Sequence, residues 1–188
     1  MKKLLILLLT FAMLFALVAC GEKEPADNQE QNDDAPKTEE APQEAGTTYD
    51  VGAFTVYVPG GWKELPALDV FSEDSAIDPT VIQICKGGDT EDDIYTHPYI
   101  RLSYFDPDTM MGKDKSFYDD VEDLDPVVAG EHTWEAFNCT SLGYKMTILW
   151  LTEDGHDFQA VLYTDSDNGT IGATDADVLE ILASVTVK

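Results

Sequence analysis

The sequence predicts an α+β fold, an antiparallel β-sheet with two helices packed on it. Three observations predict it. Runs of alternating apolar residues are joined by short glycine turns, two stretches carry helix-start signals ahead of apolar residues at helical spacing, and the chain closes on a strand-like Val185-Thr186-Val187.

The first residues, Met1, Lys2 and Lys3, form a positive head, and the run from Leu4 to Ala19 is apolar except for Thr10. It is shorter than the roughly 20 apolar residues a membrane-spanning helix requires, so it reads as a secretory signal peptide over residues 1–19. From Gly21 to Thr48 there is no Ile, Leu, Val, Met, Phe, Trp or Tyr, and nine acidic residues stand against Lys23 and Lys37. Such a stretch cannot bury a core, so residues 20–48 are expected to be a disordered acidic tether with an r.m.s. reach of about 30 Å.

Residues 49–188 have the length of one domain with a sizeable core. Phe54-Thr55-Val56-Tyr57-Val58 alternates with period two and stops at Pro59-Gly60-Gly61 before Trp62. Further strands are expected over 80–85, 99–105, 134–142, 144–151 and 157–163. Gly143 and Glu153-Asp154-Gly155 join the last three into a meander. Ser116-Phe117-Tyr118-Asp119 matches a capping box, followed by Val121 and Leu124 and ended by Pro126. Thr174-Asp175-Ala176-Asp177 matches a second, ahead of Val178, Ile181 and Leu182.

Two resemblances follow from these residues. Leu17-Val18-Ala19-Cys20 resembles the lipobox of bacterial lipoproteins. That likeness implies cleavage before Cys20, a lipid on its thiol and residence on the extracytoplasmic face of the cell membrane; several acyl chains suffice for stable anchoring. The phrases Phe54-x-Val56-x-Val58-Pro59-x-Gly61-Trp62, Gly130 before a strand pair, and Ile181-Leu182-Ala183-Ser184-Val185-Thr186-Val187 resemble the PsbP-like fold. This likeness implies a non-catalytic docking or accessory module and supplies no catalytic residue.

The formal charge of the whole chain is −26. Nucleic acid is excluded as a partner by phosphate repulsion, and cationic ligands or proteins are favoured. Chemistry-bearing motifs are sparse. There is no G-x-S-x-G elbow, and Gly112-Lys113-Asp114-Lys115-Ser116 lacks the order of a phosphate loop. His97, His132 and His156 show no metal-ligand spacing, and no cofactor or metal is expected. Asp89-x-Glu91-Asp92-Asp93, Asp119 to Asp125 and Asp165-x-Asp167-Asn168-Gly169 offer oxygen ligands without the order of a calcium loop, so they read as solvated acidic surface. The tryptophans at 62, 134 and 150 read as core. With Cys20 assigned to lipid, Cys85 and Cys139 remain as a possible disulfide or as two buried thiols.

The resulting expectation is a membrane-anchored, extracytoplasmic and non-enzymatic binding or accessory module of the cell envelope. The alternative is an envelope hydrolase with a site assembled from the scattered histidines and carboxylates.

Overall fold

The computed structural model describes residues 45–69, 72–105 and 114–188, all within a compact unit that spans Glu40–Lys188. The signal peptide, Cys20 and residues 20–44 of the tether lie outside the described residues, as do Gly112 and Lys113. Among the described residues no helix is long and apolar enough to cross a membrane.

Thirteen strands and one α-helix follow the chain. They are β1 (Thr47–Asp50), β2 (Phe54–Val58), β3 (Trp62–Leu68), β4 (Ile77–Lys86), β5 (Tyr99–Phe105), β6 (Asp119–Asp123), β7 (Val127–Ala129), β8 (His132–Ser141), β9 (Tyr144–Glu153), β10 (His156–Tyr163), β11 (Asp165–Ser166), β12 (Gly169–Thr170), α1 (Ala176–Ala183) and β13 (Thr186–Val187). Seven of them form one large sheet path in the order β3-β4-β5-β10-β9-β8-β6, with β7 also paired to β8. A second layer is the three-stranded sheet β1-β2-β13.

The main core lies where one face of the large sheet meets β2, β13 and α1. The inward residues of β2, Phe54, Val56 and Val58, meet Ile84, Leu102, Leu149 and Leu162 of the sheet, while Val178, Ile181 and Leu182 of α1 close the cluster. Phe137, Cys139, Met146, Ile148 and Trp150 form a second cluster. Strand β9 contributes to both, so its middle six residues are all buried and its sequence reads as a continuous apolar run. The turns of the meander have the backbone that two-residue hairpins demand: Leu142-Gly143 and Asp154-Gly155 all have positive φ, the type I′ pattern.

The expected two-helix α+β, PsbP-like arrangement is corrected by this structure, which is a β-rich fold with a single α-helix among the described residues. The first of the two expected helices is instead a 3₁₀ turn, Lys115–Phe117, running into β6. The physical reason is in the sequence. Asp119, Asp120, Glu122 and Asp123 would stack like charges at i, i+3 and i, i+4 on a helix, and aspartate is a weak helix former. Phe117 and Val121 are 76% and 38% exposed, so the supposed apolar face finds nothing to bury against. Strand β8 offers a free ladder edge instead, and β6 takes it with a bulge at Asp120, whose φ is +51°. The second helix forms, but its capping box does not. Asp175 is the N-cap, and its carboxylate accepts from Gly172 N at 2.9 Å.

Side-chain links tie α1 to both sheets. Asp177 accepts from Trp62 Nε1 at 2.8 Å and pairs with Lys86 Nζ at 2.7 Å, joining the first turn of α1 to β3 and β4. Burial opposes ionisation of Asp177, but the hydrogen bonds from Lys86 and Trp62 and the charge of Lys86 hold its carboxyl below the ordinary value. At the other end Ser184 Oγ accepts from Tyr57 N at 2.8 Å and donates to Ile181 O at 2.7 Å.

Candidate functional site

The β8–β9 hairpin turns at Leu142-Gly143 and the β9–β10 hairpin at Asp154-Gly155, so residues equidistant from each turn become neighbours. His132 at the start of β8, Glu153 at the end of β9 and His156 at the start of β10 are thereby brought to one end of the large sheet. This end overhangs the chain leaving α1, and between them lies a half-open pocket of about 610 Å³. Leu151, Phe158, Ala183, Val185 and Val187 supply its apolar lining, and Glu131, Glu153 and Asp154 its carboxylates. No lysine or arginine lines it.

Gly130 shapes this wall. It opens the two-residue turn between β7 and β8 with φ +59°, and a Cβ there would lie 3.0 Å from the Cβ of Ala183. The close approach of the turn to α1 therefore depends on the missing side chain.

The two pocket histidines differ in what they touch. His132 Nδ1 donates to Glu153 Oε2 at 2.7 Å and Nε2 donates to Val185 O at 3.1 Å. Both partners are acceptors, so the ring acts as a double donor that straps the end of the large sheet to the segment entering β13. It has no nitrogen left to take a proton from a substrate. His156 Nδ1 shares a hydrogen bond with Tyr104 OH at 3.0 Å, and the two rings lie 5.8 Å apart. Neither ring is hydrogen-bonded to a serine, threonine or cysteine side chain among the described residues.

His97 is not part of the pocket. Its Nδ1 faces Thr96 Oγ1 at 3.1 Å, Asn168 Nδ2 at 3.5 Å and Asp93 Oδ1 at 3.8 Å. A relay places the nucleophile on one ring nitrogen and the orienting carboxylate on the other, whereas here all three neighbours crowd the same atom. The structure thus gathers two of the three histidines with carboxylates and leaves the third elsewhere.

The acidic segments resolve into local structure. Asp93 accepts from the amides of Asp89 and Thr90 at 2.7 Å each. Those backbone bonds, first Thr90's and then Asp89's, hold its carboxyl below the ordinary value. Asp119 to Asp123 is the solvent-facing edge strand β6, with Asp123 paired to Lys115. Asp165 to Gly169 is the small β11–β12 hairpin, with Asp165 3.3 Å from Lys145. Among the described residues no three His, Cys, Asp or Glu side chains are placed to hold a metal ion.

Cys85 and Cys139 are both buried and unbridged. They lie on β4 and β8, four strand spacings apart, roughly 19 Å, where a disulfide needs Cα atoms within about 7 Å. Burial raises both thiols, and Asp93 raises Cys85 further, so neither is an activated nucleophile. The aromatics pair with one another or enter the cores. Tyr99 stacks on Tyr163 at 4.1 Å, Phe105 lies 5.4 Å from Trp150, and Trp134 is fully buried with no partner for its Nε1.

The sequence reading missed Glu131, Glu153, Asp154 and the Val185–Val187 wall as companions of the histidines. Their signal was available in the hairpin register, since Glu153 mirrors His132 about Leu142-Gly143.

No protein-family model and no curated protein matches the sequence. A solved structure from Bacteroides thetaiotaomicron is similar at 14% identity with a TM-score of 0.43, covering 78% of this chain and 49% of that one. The chain therefore spans about half the length of that protein.

Proposed function

We propose that the chain is a lipid-anchored protein of the extracytoplasmic face of the cell membrane, whose folded unit acts as a non-catalytic binding or accessory module of the envelope. The anchor reading draws on the apolar run ending at Leu17-Val18-Ala19-Cys20 and on the acidic stretch after it. The observation that carries binding over catalysis is the bonding of His132. Both of its nitrogens are occupied by Glu153 and Val185, so the imidazole closest to a carboxylate is a strut between layers. With a net charge of −26 the partner is a cationic ligand or envelope protein, and nucleic acid is excluded.

Detergent-phase partitioning of the wild type against Cys20→Ala tests the anchor. The wild type is expected in the detergent phase and the variant in the aqueous phase; equal partitioning of the two contradicts it. One observation favours the hydrolase alternative: His156 lines the pocket with only its Nδ1 engaged, beside carboxylates. That reading requires turnover of ester or peptide reporters that disappears in His156→Ala. The present one requires no turnover by either protein.

A further inference from the structure

We propose that the pocket between the β9–β10 turn and the β13 segment binds a protonated primary amine carried on an aliphatic stem. This rests on the non-catalytic binding reading and adds the chemistry of the ligand. The argument is one of complementarity. The pocket holds about 610 Å³, within the range of small-molecule sites, and its inner lining from Leu151, Phe158, Val185 and Val187 is apolar. Its polar side is acidic. Glu131, Glu153 and Asp154 line it without a lysine or arginine, and the last two flank the β9–β10 turn as a cationic group would approach it.

Each part of the ligand answers one part of this lining. An alkyl stem gains by covering Leu151, Phe158 and the two valines, which a bare hydrated cation does not. The ammonium head then sits among carboxylates that are solvent-exposed before binding, so little desolvation opposes the contact. A metal ion is a poorer occupant, because no three ligating side chains converge among the described residues. A carboxylate ligand is excluded by the sign of the lining. Glu153 is shared with His132, so an incoming ammonium competes with the imidazole for that carboxylate while Glu131 and Asp154 remain available. The net charge of −26 draws any cation toward the protein, and the pocket supplies the selectivity among cations that this diffuse field lacks.

The test uses the full chain in neutral detergent micelles at about 150 mM sodium chloride, where exposed charges are screened beyond about 8 Å. Hexylamine is the probe, 1-hexanol and hexanoate are the controls, and ligand-observed NMR and calorimetry are the readouts. Saturable binding of hexylamine is expected, with 1-hexanol at least tenfold weaker and hexanoate silent. Glu131→Gln with Asp154→Asn should weaken hexylamine by about threefold per carboxylate, roughly tenfold together. Asn-Gly suits the type I′ turn, so this variant keeps the fold. Asp120→Asn with Glu122→Gln makes the same charge change on exposed β6 and should leave binding within about twofold. The proposal is overturned by absence of saturation, by hexanol binding equal to hexylamine, or by an equal loss in the β6 variant, the mark of diffuse attraction. Failure of the underlying reading looks different, because an ester or peptide reporter would then be turned over.

Discussion

Substituting Gly130 by alanine tests how the β7–β8 turn is held against α1. Two costs add. At φ +59° an L-residue loses about 1–2 kcal/mol relative to glycine. The new Cβ also sits 3.0 Å from Ala183 Cβ, 3.6 Å from its Cα and 3.7 Å from its carbonyl oxygen. Relief requires α1 to move by a few tenths of an ångström, yet Ile181 and Leu182 beside it are fully buried, so overpacking adds about 1 kcal/mol. Gly130→Ala should therefore destabilise by about 2–3 kcal/mol, a loss of roughly 1 M in the urea midpoint at unchanged slope. Ala183→Gly alone should cost about 1 kcal/mol through helix propensity. In the double variant the collision is gone while the backbone strain remains, so the two losses should fall short of additivity by about 1 kcal/mol. Equilibrium urea unfolding followed by tryptophan fluorescence measures all three. A Gly130→Ala loss under about 0.5 kcal/mol, or strict additivity in the double variant, refutes the contact.

Three other outcomes are expected. Ile181→Ala, at a fully buried position, should cost about 2–5 kcal/mol, whereas Phe117→Ala, 76% exposed, should stay within about 0.5 kcal/mol; comparable losses in chemical denaturation would restore a packed helix near 117. Because the folded Asp177 carboxyl titrates below its unfolded value, the unfolded chain binds that proton more readily. The stability it contributes is present above about pH 4 and is lost as pH falls through the folded value. Asp177→Asn should flatten this acid-side loss in urea midpoints taken from about pH 3 to pH 7, and an identical pH profile contradicts the assignment. Iodoacetamide without reductant should leave native Cys85 and Cys139 unmodified and alkylate both after unfolding; no alkylation after unfolding would mean a disulfide.

The sequence exposed the strands wherever burial is one-sided or continuous. The alternation in Phe54–Val58 and the apolar run of β9 each follow from how many faces the strand buries, and Tyr99–Phe105 has the same bounds in the sequence reading and in the structure. Strand β3 escaped notice because Lys63, Glu64 and Pro66 break its pattern, which an edge strand tolerates. Strand β6 was mistaken for a helix because Phe117, Val121 and Leu124 happen to fall at helical spacing, although only Leu124 packs against the core. The pocket was half legible: its histidines stood out as rare residues, but their carboxylate partners became visible only through hairpin register. Val185, whose carbonyl occupies His132, is brought there by the chain's return from α1 to β2, a long-range contact without a local signature.

The central claim is a folded module held to the membrane through Cys20. Intact-mass measurement of the protein extracted from membranes tests it most directly. A mature chain beginning at Cys20 and carrying the mass of a diacylglyceryl group, with or without an amide-linked acyl chain, is the predicted result. A mature chain starting elsewhere, or an unmodified Cys20 on a membrane-bound protein, would contradict it.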